Sequence, residues 1–378
     1  MTANRKILHV VESLDRGAIE NWLLRMLGHA RARGVAADWT FYCQQAGPGE
    51  FDVRARELGA RIVASPVPLA RTGAFMAALR GELRSGGYDV LHCHHDLMSA
   101  VYLAAAAGLG LTRRLVHVHN ADEHLPTPGR IKAALLREPM RRICLAADRV
   151  VGISNHTLDT MLAGRPRRPG RDVVHYYGVD PAPFAGAGLD RSAFRRSAGL
   201  ADDALVLLFG GRITAEKNPV FAVDVFARLL AREARAALVF AGAGSLEAAV
   251  AERARAIGLA DKVRMLGWRG DLPEIMGCAD WFILPRPEAP LEGFGLAVVE
   301  AQLAGLRLLL STGVPDDPLL PGAAARRLSL GEDADRWAEA ALELLRAPAP
   351  SRAQARAALH ASPMDMDRAL ADLQALHA

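Results

Sequence analysis

Short apolar runs of strand length alternate with longer amphipathic runs along almost the whole chain. That alternation constrains the fold more than any single motif does. In the first half the strand-like runs are KILHVV (6–11), ADWTFYC (37–43), RIVAS (61–65), DVLHCH (89–94), RLVHVH (114–119), DRVVGIS (148–154) and DVVHYY (172–177). In the second half they are ALVLLFGG (204–211), AALVFAG (236–242), KVRMLG (262–267), DWFILP (280–285) and LRLLLS (306–311). Helical patterns separate them, such as ENWLLRMLGHARARG (20–34) and GAFMAALRGELRSGG (73–87). Strands that alternate with helices build parallel sheets through right-handed crossovers. These strands are too many for one sheet of ordinary size. The expected fold is therefore α/β, with two doubly wound, Rossmann-like domains. The break is expected within 178–203, where GVDPAPFAGAGLDRS is rich in glycine, proline and alanine and has no period. A ligand crevice is expected at the C-terminal ends of the strands, between the domains.

Composition narrows the classes. The chain is 51% hydrophobic and 23% charged, as expected of a soluble globular protein. No apolar run reaches membrane-spanning length. The start, MTANRKILHVVESLDRG, has a short apolar run interrupted by His9 and no small-residue cleavage site, so a cytoplasmic protein is expected. Cys43, Cys93, Cys144 and Cys278 are scattered, and reduced buried thiols are the default. A net charge of +4 is mildly basic and dispersed. It fits attraction to an anionic substrate or membrane surface, not nucleic-acid binding.

The stretch PLEGFGLAVVEAQLAG (290–305) brackets seven residues between Glu292 and Glu300. Gly293 and Gly295 allow close backbone approach to a ligand, and Leu296, Val299 and Leu303 have helical spacing up to Gly305. Glu292 then precedes a helix and Glu300 lies inside it. The helix start suits phosphate, whereas ionised carboxylates accept hydrogen bonds from hydroxyls. Were every step between them helical, the two Cα atoms would stand ~12 Å apart, about the span of a sugar, a diphosphate and a ribose. Two solvated glutamates flanking a core helix are the plainer alternative.

Other stretches also fall at strand ends. In FGGRITAEKNP (209–219), Gly210 and Gly211 open a turn, and Arg212 and Lys217 can neutralise a diphosphate. In AGAGSLEAAV (241–250), Gly242 and Gly244 allow a tight turn, but Glu247 replaces the third glycine of a dinucleotide fingerprint, which argues against NAD. SLDRGAIENWLL (13–24) starts a helix at Gly17 with Glu20 in its first turn. His92 and His94 share one strand face, as do His117 and His119. H-x-H twice, with no nearby partner of known metal geometry, speaks against zinc and for ordinary strand-end histidines.

Together these motifs resemble retaining glycosyltransferases of family 4, which have the two-domain GT-B fold. The resemblance covers nearly the whole chain through SLDRGAIENWL, DVLHCHHD, VHVHN, YYGVDPAPF, FGGRITAEKN, AGAGSLE, VRMLGWRGDLPEIMGCADWFILP and EGFGLAVVEAQLAG. It points to the branch that makes bacterial exopolysaccharides and other surface glycans. It implies an acceptor-side domain over 1–180, a nucleotide-sugar domain over 181–345, and a helical segment over 346–378 returning to the first domain. Arg212 and Lys217 are implied to bind the donor diphosphate and stabilise the leaving group. Glu300 is implied to hold the ribose, and Glu292 the donor sugar, with the amides of Phe294, Gly295 and Leu296 nearby. Gly17 and Gly211 would let backbone approach the phosphates, with Gly242 at a neighbouring turn. His119 would lie near the reacting sugar, and Trp268 and Arg269 would line the base pocket. Ala18 departs from the family's usual second glycine and places an extra methyl on the first loop.

The implied reaction is metal-independent, retaining transfer of a hexose from a nucleotide-diphosphate sugar, a uridine one by family, to a glycan or lipid-linked acceptor. The D-x-D pairs Asp333/Asp335 and Asp365/Asp367 read as helix-start acids rather than a metal site. GRIKAALLREPMRRICLAADR (129–149), with Arg130, Lys132, Arg137, Arg141 and Arg142, reads as a domain helix or as a peripheral contact with an anionic membrane. Two other readings stand beside transfer: a GT-B nucleotide-sugar epimerase, and a non-catalytic donor-binding partner in a glycan assembly complex.

Overall fold

The computed structural model describes residues 5–15, 17–121, 125, 130–185 and 190–378. Arg16, the side chain of Arg130 and residues 186–189 of the expected linker lie outside the described residues. The chain divides into one unit of 1–178 plus 363–378 and a second of 179–362. Of the segment 346–378, only the part from Pro363 onward belongs to the first unit.

In the first unit the described strands are β1 Lys6–Val11, β2 Asp38–Cys43, β3 Arg61–Ala64, β4 Val90–Cys93, β5 Arg113–Val118, β6 Arg149–Gly152 and β7 Asp172–Val174. They pair in the order β3-β2-β1-β4-β5-β6-β7, with every described pair parallel. Strand order reverses between β1 and β4, where chain connections leave on opposite sides. The inner strands are covered on both faces, which is why they read as nearly continuous apolar runs. One core lies around Tyr42, Phe75, Leu91, Tyr102 and Val116. The C-terminal helix Met366–His377 packs on the helix Ala18–Ala32. His29 Nε2 stands 2.7 Å from Asp367 Oδ1 at that contact.

In the second unit the described strands are β8 Leu205–Gly210, β9 Ala236–Ala241, β10 Val263–Met265, β11 Trp281–Leu284, β12 Arg307–Ser311 and β13 Ala325–Leu328. Their order is β10-β9-β8-β11-β12-β13, so this sheet reverses between β8 and β11. Its core gathers Phe209, Phe226, Phe240, Trp281 and Trp337. Two buried indoles are satisfied by carbonyls: Trp281 Nε1 donates to Ala341 O at 2.9 Å, and Trp337 Nε1 to Ser329 O at 3.2 Å.

Two features depart from the sequence reading. β13 was not expected, because an edge strand reading ARRL carries no apolar run. The segment 178–203 contains a helix, Arg191–Ser197, capped by Asp190 Oδ1, which accepts from Ala193 N at 2.8 Å. The D-x-D acids do start helices. Asp333 Oδ1 accepts from Arg336 N at 2.9 Å, and Asp365 Oδ1 from Asp367 N at 3.0 Å. All four cysteines are free and buried.

Candidate active site

The second unit concentrates charge where its sheet reverses. β8 ends in Gly210, and the loop beyond it carries Gly211, Arg212 and Lys217. β11 ends in Leu284, and the loop beyond it carries Arg286 and Glu292. Lys217 Nζ donates to Glu292 Oε2 at 2.5 Å, and Arg286 Nη1 stands 3.3 Å from the same oxygen. All three side chains are largely shielded, at 16%, 13% and 10% exposure for Lys217, Glu292 and Arg286. Burial pushes the Glu292 carboxyl up, but Lys217 and then Arg286 outweigh it and hold it below its ordinary range. Burial lowers Lys217 by more than Glu292 raises it. Two cations thus face one carboxylate, so the cluster keeps a net positive charge that a phosphate can use.

Arg286 was missed by the sequence reading. It is buried, Nη1 donates to Glu216 O at 3.2 Å, and Nη2 donates to Leu291 O at 3.1 Å. Those bonds tie the β8 loop to the β11 loop. A single arginine between two prolines gave no pattern; its place just after an apolar strand was the available signal. Arg212 is exposed and makes no ion pair among the described residues.

The helix Leu296–Leu303 begins as expected. Gly295 precedes it with φ +92°, a conformation that favours glycine, and its carbonyl accepts from Val298 N at 2.8 Å. The positive end of the helix dipole at this start suits an anion. Phe294 and Glu300 are buried, and Leu296 is half-buried. Because helix begins only at Leu296, the steps from Glu292 to Glu300 are not all helical, and the ~12 Å spacing does not apply.

Gly242 and Gly244 have a structural use. A Cβ on Gly242 would lie 1.8 Å from Gly211 O, and one on Gly244 would lie 2.4 Å from Ile213 O. These glycines let the β9 loop press on the β8 loop. Their amides are engaged: Gly242 N donates to Gly267 O at 2.8 Å and Gly244 N to Glu247 Oε1 at 2.7 Å. Glu247, which stands where a dinucleotide fingerprint has its third glycine, thus caps the turn with its carboxylate. Trp268, 53% exposed, and Arg269 follow β10. Arg269 is held by Asp271, with Nε 2.7 Å from Oδ1.

The first unit carries the remaining expected residues. Gly17 caps the helix Ala18–Ala32, whose first residue, Ala18, is exposed. A Cβ on Gly17 would meet Glu20 Oε2 at 1.9 Å, so the missing side chain is filled by a carboxylate. Burial pushes that Glu20 carboxyl up to about 7, with Glu12 and Asp15 adding to the rise.

His119 follows β5, and its ring is engaged on both sides. Nε2 lies 3.0 Å from His94 Nδ1, and Nδ1 lies 2.7 Å from the Tyr177 hydroxyl. Its backbone is clamped too: Asp96 Oδ1 accepts from His119 N at 2.8 Å, and Asp96 Oδ2 accepts from Asn120 Nδ2 at 2.8 Å. Asp96 has φ +44°, uncommon for a residue with a side chain. H-x-H spacing offers the histidine pairs no partner, yet the fold supplies His9 from β1 and His377 from the C-terminal helix. His9 Nδ1 lies 3.0 Å from His94 Nε2, and His92 Nδ1 lies 3.0 Å from His377 Nε2.

Two doubly wound units with strand-end charge define the class, a GT-B glycosyltransferase, once set beside known proteins. The family model described as Glycosyltransferase Family 4 matches residues 19–183, and the one described as Glycosyl transferases group 1 matches residues 190–359. A D-inositol 3-phosphate glycosyltransferase of Actinosynnema mirum is 31% identical over 329 residues, 80% of this chain and 76% of that protein. EpsF of Bacillus subtilis, itself an inferred glycosyltransferase, is 26% identical over 355 residues, 93% of this chain and 90% of that one. HepE of Anabaena, solved with UDP and glucose, matches with a TM-score of 0.78 at 17% identity, over 98% of each chain. A glycosyltransferase of Rickettsia africae matches at 0.79 and 16% identity, over 99% of this chain and 98% of that one. The chain belongs to glycosyltransferase family 4.

Proposed function

We propose that this glycosyltransferase moves a hexose from a uridine-diphosphate sugar to a glycan or lipid-linked acceptor of bacterial surface or exopolysaccharide synthesis, with retention at the anomeric carbon. The observation that carries the reading is the Lys217–Glu292–Arg286 cluster at the β8/β11 reversal, with exposed Arg212 beside it in sequence. HepE, a fold neighbour solved with UDP and with UDP-glucose, supports the donor, EpsF, named as a glycosyltransferase, supports the transfer, and the pathway rests on the family resemblance.

Breaking the sugar–diphosphate bond builds negative charge on the phosphate. Arg212, Lys217 and the start of the helix Leu296–Leu303 stabilise that charge without having to reorganise. Glu292 accepts from the donor sugar hydroxyls and Glu300 from the ribose. Gly211, Gly242, Phe294, Gly295 and Leu296 shape the backbone around the donor and Trp268 and Arg269 border the base, while roles for Gly17, Ala18 and His119 of the first unit rest on the family resemblance. These cations serve where a metal otherwise would.

The test is a thermal-shift and turnover screen of UDP, GDP and ADP sugars. A donor at 100 times its Kd adds about 2.7 kcal/mol of stability. The expected result is a rise with UDP sugars, lost in Arg212→Ala, and turnover that added Mg2+ or Mn2+ does not raise. Turnover without acceptor dependence would instead indicate an epimerase, and binding without turnover a non-catalytic partner.

Membrane contact has a narrower basis than the sequence implied. In the helix Arg130–Cys144, Arg141 is buried on Glu138, and Arg142 also pairs with Glu138. Ile131 and Leu135, one turn apart, are 80% and 72% exposed. An apolar edge therefore carries the contact. Ile131→Glu/Leu135→Glu is expected to abolish co-sedimentation with anionic liposomes, whereas salt alone reduces it modestly. No co-sedimentation of the wild type at low salt sinks this contact.

A further inference from the structure

The first unit buries His9, His92, His94, His117, His119, His175 and His377, where a sheet covered by helices normally packs aliphatic side chains. They come from separate parts of the chain. Register sets His9 beside His92 across β1 and β4, and Trp22 stacks edge-on against His117 from the helix above. Two groups stand out. One ligand atom each of His9, His92 and His94 lie within 4.8 Å of one another, and so do one each of His94, His117 and His119. His94 belongs to both.

Hydrogen bonding between neutral rings explains part of this packing. It joins His9 to His94, His94 to His119 and His92 to His117, at 3.0, 3.0 and 3.2 Å. It leaves His9 Nε2 and His117 Nε2 buried and without a partner, one in each group. Burial holds these rings well below their ordinary pKa, so their lone pairs stay unprotonated. Three convergent, deprotonated imidazoles are what a borderline transition metal ligates, and no carboxylate belongs to either group, which disfavours magnesium, calcium and manganese. The charge of a cation also has a counterpart. His377 is the last residue of the helix Met366–His377 and touches His92, so the negative end of that helix faces the cluster.

We propose that the two three-histidine groups meeting at His94 form a buried binding site for one transition-metal ion of the zinc or cobalt kind. The ion joins β1, β4 and β5 from within and has a structural duty, separate from the donor chemistry of the second unit. Loading occurs during folding, because the rings are closed from solvent once packed.

The test uses the full chain. Protein from zinc-supplemented cells is expected to carry one zinc per chain by elemental analysis. Protein refolded with Co2+ is expected to show the ligand-field absorption of low-coordinate cobalt, suppressed when zinc, but not Mg2+, is present during refolding. His94→Gln, which removes the shared ligand, is expected to lose both signals, whereas His175→Gln keeps them. If His94→Gln does not fold, His9→Gln and His117→Gln replace it, and one of them is expected to lose the ion. Natively folded wild type with no metal and no cobalt absorption overturns the site, as does metal retained by both His9→Gln and His117→Gln. The nucleotide-sugar thermal shift reports on the second unit, so its failure is separable from failure of this site.

Discussion

Lys217→Met is expected to lower kcat/KM for the donor by about 10²–10³, the range seen when one preorganised group is removed from a developing charge. Lys217 and Glu292 stand 2.5 Å apart, and Arg286 stands 3.3 Å from the same carboxylate oxygen. Removing the lysine leaves Glu292 still paired, so the buried carboxylate is not orphaned. Stability should fall by only ~1–3 kcal/mol, well short of what an uncompensated buried charge costs. Activity and stability therefore separate. Glu292→Gln reverses the imbalance: Lys217 and Arg286 lose their shared anion. This variant is expected to bind nucleotide diphosphate at least as well as the wild type and to turn over poorly, because a sugar contact is lost while phosphate attraction is not. Because Lys217 and Arg286 hold Glu292 below its ordinary pKa, the pair should persist as pH falls toward that lowered value and be lost only below it. Steady-state kinetics with nucleotide titration of both variants decides the matter. Lys217→Met within threefold of wild-type kcat/KM removes the lysine from the reaction.

Which of these residues could be read from the sequence depends on how far apart in the chain their partners lie. Lys217 and Glu292 were legible because each sits in a local pattern of glycines and charges at a strand end. Arg286 was not, since its meaning comes from bonds to Glu216 O and Leu291 O, one of them 70 positions away. The inner strands were legible because burial on both faces forces apolar runs, whereas β13, at the sheet edge with Arg326 and Arg327, needed none. The tight turn read at Gly242 and Gly244 has a cause the sequence does not carry: loop-on-loop packing forbids a Cβ at either position. The histidines are the sharpest case. H-x-H spacing shows two rings on a face, but only strand register adds His9, and only the returning C-terminal helix adds His377.

That histidine cluster sets the second large effect: metal-free protein is expected to unfold its first unit cooperatively as pH falls from about 6.5 toward 4.5. Burial lowers all seven imidazoles, and repulsion from neighbouring rings adds to it in every one but His175. His119 and His377 are lowered from 6.5 to about 3. Between those values the unfolded chain binds protons that the folded one excludes, so stability is full above the unfolded value and falls as pH drops. At pH 4.5 each of these two groups alone removes ~2.7 kcal/mol, at 1.36 kcal/mol per pH unit. Two such terms already rival the ~5–15 kcal/mol that holds a domain together, and the other five have the same sign. The groups facing the cluster do little to oppose this. Asp372 raises His175 slightly, Arg5 lowers His377 further, and Trp22 and Tyr177 carry no charge near neutrality. The transition should therefore be steep, taking up several protons at once. Replacing the bonded pair His92 and His377 by leucine is expected to move its midpoint to lower pH. Circular dichroism and urea titration at a series of pH values read both quantities. A midpoint below pH 4 with uptake of one proton or fewer would show that charging the cluster is not what limits this unit in acid.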